Sequence, residues 1–203
     1  MKKLSKSIQP RYDVEGRYQA LLEAGEALLC RGYDRAKPQL IAQTAGVSVG
    51  LFYRHFQNKQ ELLTAIMIGH LKTLHHQIQQ ETELYSNPGE QLDRLIVLTL
   101  RYFESHQGLI KLFFMQIGYG NEVATEQLQE VRQTYRNILQ TILKTGSDRG
   151  YFINNLDIQI AINSIIGTIN WTLYDLLIVN NGNLKSDELA KKLSNHLLRS
   201  LTV

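Results

Sequence analysis

The chain has 203 residues, 43% of them hydrophobic and 20% charged, which is the composition of a globular protein long enough for one large core or two smaller ones. A single cysteine, Cys30, excludes an intramolecular disulfide. There is no unbroken apolar run of about 18 residues to suggest a transmembrane helix, and the basic start Met1-Lys2-Lys3-Leu4 lacks the apolar stretch of a secretory signal. These features point to a cytoplasmic protein without a membrane partner.

Net charge is only +3, but it is unevenly spread. Residues 1–59 hold ten Lys/Arg against five acids, and the remaining residues hold 12 against 14. A basic end on a near-neutral body suits a polyanionic partner for that end, and a solvated terminus has the same composition.

Taken in chain order, the first expected helix covers about 17–31, burying Leu21, Leu22, Leu28 and Leu29, with Gly32 as a left-handed cap. Cys30 reads as a small buried hydrophobe. A second helix starts at Pro38, which suits a first helical turn, and stops at Gly46. Ser48 caps a short third helix that runs through Phe56. Asn58 with Glu61 resembles a capping box opening a long fourth helix with Leu62, Leu63, Ile66, Leu71, Leu74 and Ile78. Asn87-Pro88-Gly89-Glu90 is a further start signal. Helices are then expected at about 89–105, 107–117, 121–146, 157–179 and 186–201. The fold class is all-α: a three-helix N-terminal domain with its arm over 1–58, and a larger helical domain over 59–203.

The run from Gln39 to Phe56 has the logic of a helix-turn-helix. Ala42 and Ala45 are small where two helices cross, Gly46 supplies a positive φ, and Val47 plugs the corner. Ile41, Leu51, Phe52 and Phe56 can form a small core. Val49, Gly50, Tyr53, Arg54 and His55 are then left for the outward face of a helix sized for the major groove of double-stranded DNA. An ordinary tight helical hairpin uses the same turn residues; the basic flank and the Tyr/Arg/His face favour DNA.

From Arg17 through Leu62 the residues resemble the DNA-binding domain of TetR/AcrR-type regulators. The matching features are Leu21-Leu22, Ala24, Leu28-Leu29, Gly32-Tyr33, Ile41-Ala42, Ala45-Gly46-Val47-Ser48, Gly50, Phe52-Tyr53, His55-Phe56, Asn58-Lys59 and Glu61-Leu62. The resemblance implies a homodimeric regulator, usually a repressor, released from a palindromic operator by a small effector. Tyr53, His55 and Lys59 resemble the family's phosphate contacts, with Val49, Gly50 and Arg54 nearest base edges. The threonine usual in the family near the start of the second helix is replaced in the stretch Ala36-Lys37-Pro38; Lys37 is a candidate substitute phosphate contact, and Gln39 is a candidate to reach DNA. Val49 stands where a lysine is common. The arm residues Lys2, Lys3, Lys6 and Arg11 are candidates for phosphate or minor-groove contact, or for a solvated tail.

In the second domain, Tyr102, Phe103, Phe113, Met115, Asn170, Trp171 and Tyr174, with Leu109, Leu112 and Ile117, combine apolar bulk with polar handles and are the candidate effector pocket for a largely apolar ligand. The last two helices are the candidate dimer interface, through Ile162, Ile165, Ile166, Ile169, Leu173, Leu193 and Leu197. Those residues also suit the protomer's own core. The long fourth helix after Lys59 is the expected carrier of effector-driven movement. His70, His75 and His76 read as exposed helical histidines, because their spacing places no clean metal pair on one face. No nucleophile motif, phosphate-binding glycine loop or paired cysteine motif is present, so no catalytic residue, metal or cofactor is expected. A transcriptional activator or a ligand-independent DNA-binding protein remains the alternative, with an enzyme less favoured.

Overall fold

The computed structural model describes residues 14–116 and 126–202. The arm candidates Lys2, Lys3, Lys6 and Arg11, together with Ile117, lie outside the described residues. The described residues are helical, with no β-strand among them. Residues up to Leu63 form one compact unit and residues from Thr64 a second.

The first unit is built from α1 (Val14–Arg31), α2 (Pro38–Thr44), α3 (Val49–His55) and the start of α4 (Lys59–Thr82). Its core is Leu21, Leu29, Ile41, Ala42, Phe52, Phe56, Leu62 and Leu63. Leu22 and Leu28 are half-buried, and Cys30 is exposed, not buried as the sequence suggests. Gly32 is no left-handed cap either: the only positive-φ glycines among the described residues are Gly46 and Gly150. α1 instead closes through the Gly32 amide, shared between the Leu28 and Leu29 carbonyls at 3.2 Å each.

The turn after α2 does follow local chemistry. Gly46 adopts φ 68°, the left-handed conformation that costs glycine least. The Val47 amide reaches back to the Ala42 carbonyl at 2.9 Å. Ser48 then caps α3, its Oγ accepting from the Leu51 amide at 3.2 Å. Asn58 caps α4 by accepting from the Gln60 and Glu61 amides, both at 2.9 Å. Glu61 reaches past Asn58 to the Gln57 amide at 2.6 Å, one residue further than a strict capping box.

The second unit contains the rest of α4, α5 (Pro88–Ser105), α6 (Gln107–Gln116), α7 (Glu126–Asp148), α8 (Ile158–Tyr174) and α9 (Ser186–Leu201). α5 packs against α9 and α7, and α8 against α7 and α9. Polar locks fix α5 on α9: Arg101 pairs with Asp187 at 2.8 Å, Ser186 donates to Glu104 at 2.5 Å, and Ser194 donates to Asp93. Between α7 and α8 the chain doubles back, with the Tyr151 and Phe152 amides both donating to the Gly146 carbonyl. Phe152 is 3% exposed and belongs to the core.

α8 is followed directly by a π-helical turn, Asp175–Val179. The continuous stretch Ile158–Val179 is long and apolar enough to cross a membrane by length and composition, and 28% of its most apolar window is buried. Gln159, Asn163, Asn170 and Asp175 interrupt its apolar run, and a single helix of this kind is weak evidence for a membrane span.

Candidate functional site

Two places in the structure gather the residues singled out by sequence, one in each unit. In the first unit, α3 turns its hydrophobic side inward through Phe52, which is fully buried. That fixes the opposite row outward: Gly50, Tyr53 and Arg54 are exposed, Tyr53 to 51%. Val49 is half-buried at the first helical position. Lys37 and Gln39 are exposed at the start of α2, where Lys37 occupies the cap position without a side-chain bond. Ser48 is exposed, but its hydroxyl already serves the Leu51 amide.

His55 and Lys59 are tied more closely to the protein than an outward contact residue would be. The His55 ring meets Tyr18 edge-on at 5.3 Å, and its Nε2 is buried with no hydrogen-bond partner among the described residues. Lys59 Nζ donates to the Tyr33 carbonyl at 2.6 Å and lies 3.9 Å from the centre of the Tyr33 ring. A residue that sequence reading passed over joins this face. Arg17 of α1 shares an open polar hollow with Gly46, Ser48, Gly50 and Arg54. Two guanidinium groups around a turn rich in backbone amides make a positively charged surface suited to phosphate.

In the second unit, α4 to α8 enclose a cavity of about 320 Å³. Its apolar wall is Met67, Leu71 and Leu74 from α4, Phe103 from α5, Ile110, Phe113 and Phe114 from α6, and Ile166 and Ile169 from α8. Thr99, Tyr135, His75 and Asn170 add polar atoms, and Arg132 and Arg136 add charge. Tyr135 is held by Thr99, their hydroxyls 3.2 Å apart. Burial pushes the Tyr135 phenol up to about 12, against a smaller opposing effect of that hydrogen bond. Burial also lowers the His75 imidazole to about 4. Both rings are therefore neutral near pH 7, which leaves Arg132 and Arg136 as the charged groups of the lining.

Three of the sequence candidates, Phe103, Phe113 and Asn170, line this cavity. Tyr102, Met115, Trp171 and Tyr174 do not. Tyr102 faces His70, with its hydroxyl 2.9 Å from Nδ1. Met115 and Trp171 are 67% and 65% exposed, and Tyr174 stacks on Trp171 at 5.6 Å. Each of the four lies on a lining helix but on a different side of it. Leu109 and Leu112 are buried without lining the cavity. His75, expected at the surface, is 5% exposed, and only His76 of the three histidines is fully outward. No group of three or more metal-type ligands occurs among the described residues.

The dimer candidates sit within the protomer as follows. Ile162, Ile165, Ile169, Leu173, Leu193 and Leu197 are at most 7% exposed within one protomer, and Ile166 faces the cavity. These side chains are already committed to the protomer's own core.

Residues 85–201 match the family described as tetracyclin repressor-like, C-terminal domain, and residues 21–66 match the bacterial regulatory proteins of the tetR family. The chain belongs to the TetR family. It is therefore a ligand-responsive DNA-binding transcriptional regulator, and not an enzyme. This TetR-family regulator is 24% identical over 179 residues to the fatty acid metabolism regulator protein of Bacillus subtilis (strain 168), covering 83% of this chain and 92% of that one. It is also 24% identical over 150 residues to the HTH-type transcriptional repressor KstR2 of Mycobacterium tuberculosis, covering 73% and 75%. Among solved structures it resembles the transcriptional regulator FadR of Bacillus subtilis in complex with stearoyl-CoA. The TM-score is 0.79 at 22% identity, over 89% of this chain and 97% of that one.

Proposed function

We propose that this TetR-family regulator is a homodimeric repressor whose hold on a palindromic operator is weakened by a long acyl chain carrying an anionic head, an acyl-CoA thioester. One observation carries the ligand class: the apolar cavity is bordered by two guanidinium groups that no carboxylate neutralises among the described residues. Arg136 donates to the neutral amides Asn163 at 2.9 Å and Gln159 at 3.1 Å, and Arg132 has no partner among the described residues. Apolar walls take the chain by hydrophobic burial, about 0.8 kcal/mol per methylene. The arginines take phosphate or carboxylate through charge-assisted hydrogen bonds. The stearoyl-CoA complex of the Bacillus subtilis structure supports the same class.

For DNA, we assign Tyr53, Arg54 and Gly50 of α3 to the major groove, with Arg17, Lys37, Gln39 and the Ser48 turn beside phosphates. His55 and Lys59 support this face from behind. A reader of this kind works as a dimer on half-sites about 34–36 Å apart or a multiple of that. Ile160, Ser164, Gly167 and Trp171 recur at helical spacing on the exposed side of α8, and all four are exposed. We assign this row, with its exposed Ile160 and Trp171 separated by small residues, rather than the buried isoleucines, to contact with a second copy. Acting on DNA, the regulator belongs in the cytoplasm.

The test is selection of bound sequences from random duplex DNA, followed by titration of the selected site with palmitoyl-CoA. A palindromic site recovered by wild type and lost by Tyr53→Ala/Arg54→Ala is expected. Palmitoyl-CoA should then lower affinity by about 5–150-fold, the usual range of allosteric coupling. A site whose affinity no acyl-CoA alters would overturn the ligand assignment and leave the DNA assignment standing. In sedimentation, Trp171→Glu should shift wild-type dimers to monomers.

A further inference from the structure

The cavity has a neighbour. On the α4 side of α7, Lys72, His76, Gln79, Glu130 and Thr134 border a second, open hollow of about 220 Å³, and His75 lines both spaces. Helix geometry separates the two flanks of α7. At 3.6 residues per turn, Arg132 and Arg136 fall on one side of Tyr135, and Val131 and Thr134 on the other. The arginine flank faces α8, where Arg136 bonds Asn163 and Gln159. The cavity thus has its charged edge on the α8 side of α7 and meets the imidazole of His75 on the α4 side.

We propose that His75 is the end wall of the ligand cavity and sets the longest acyl chain that this regulator accepts. The inference rests on the acyl-CoA reading above. With the anionic head at Arg132 and Arg136, the tail runs beneath Tyr135 and stops against the imidazole. The wall is braced: the His75 ring lies 5.5 Å from the Tyr135 ring at a 31° tilt, and Tyr135 is held in turn by Thr99. It is also chemically suited to meet a hydrocarbon, because burial keeps the imidazole neutral and a charged group there would have to be desolvated by the arriving chain. Beyond the wall lies solvent-exposed space, so its removal joins the two hollows into one longer channel.

The experiment titrates the full-length regulator with lauroyl-, palmitoyl- and arachidoyl-CoA. In His75→Ala, arachidoyl-CoA should gain about tenfold over lauroyl-CoA relative to wild type, the equivalent of two more buried methylenes. His75→Val removes less volume and tests the same point if the alanine variant does not fold. Refilling the outer hollow in His75→Ala/Thr134→Trp should cancel the gain, which a merely structural role for His75 does not explain. If all three esters bind but the chain-length profile is unchanged in the His75 variants, the end wall is overturned and the acyl ligand stands. If wild type binds none of the three, the acyl-CoA reading falls and the end wall falls with it.

Discussion

The ring of Phe152 fills the space that a side chain at residue 146 would need: an ideal Cβ on Gly146 lies 2.1 Å from Phe152 Cδ2 and 2.2 Å from Cε2. Neither side can yield easily, because Phe152 is 3% exposed and Gly146 is inside α7. Gly146→Ala should therefore cost about 1–3 kcal/mol by overpacking, even though alanine favours a helix. Phe152→Ala should cost about 3–5 kcal/mol. In a double mutant the two losses should fall well short of adding, since removing the Phe152 ring also removes the clash that the added methyl creates. Urea unfolding of the four proteins checks this.

Lys59 holds α4 to the α1–α2 loop through Tyr33, by a 2.6 Å bond to its carbonyl and by the ring beneath Nζ. Lys59→Met keeps the stem and removes the charge. It should lower stability by about 1.5–3 kcal/mol, the usual loss of a hydrogen bond to a charged group, and weaken DNA binding equally for all sequences. Thermal unfolding and binding to matched and mismatched duplexes separate the two effects. A change confined to sequence preference would count against a supporting role.

Gly50 sits in α3 with open space where a Cβ would project, its nearest neighbour being Ser48 Oγ at 3.9 Å. Nothing in the free protein requires glycine there. Gly50→Ala should raise stability by about 0.5–1 kcal/mol while weakening operator binding, because the added methyl meets DNA rather than protein. Melting temperature and operator affinity should move in opposite directions. An alanine variant that binds as well as wild type would remove Gly50 from the interface.

His75 carries a pH signature. Its imidazole is lowered by burial from 6.5 to about 4, so the native protein leaves it unprotonated at a pH where the unfolded chain protonates it. Stability from this group is present in full above pH 6.5. It falls as the pH drops toward 4, by up to about 3 kcal/mol. His75→Phe should flatten that part of the stability–pH curve, as read by urea unfolding at stepped pH. An unchanged curve would mean that the imidazole is more hydrated than its 5% exposure indicates.

What sequence reading saw well was local. The Ser48, Asn58 and Asn87 start signals and the Gly46 turn are decided by a few adjacent residues, and the structure places a helix start or a tight turn at each. What it saw poorly depends on which helices meet. His75 is polar and bears no local mark of burial; only α5 and α7 closing over α4 put it inside. Arg132, Tyr135 and Arg136 were not singled out by sequence, since their shared orientation emerges when α7 docks. The isoleucines of α8 were legible as apolar, but the one-dimensional pattern does not say whether the partner is the same chain or another.

The π-helical turn after α8 makes chain length there matter more than side-chain identity. Its wide turn is closed by the Asn180 amide on the Asp175 carbonyl at 2.9 Å and by the Gly182 amide on the Leu176 carbonyl at 2.8 Å. This brings Asn183 and Leu184 to Gln107 of α6, at 3.0 Å and 2.7 Å. Removing one residue from Asp175–Val179 would restore ordinary α-helical pitch and rotate everything beyond by about 100°. Gln107 would lose both partners, and α6, which supplies three residues of the cavity wall, would lose its anchor. Exchanging one aliphatic residue for another in this segment is a small perturbation, whereas a one-codon deletion moves the binding site.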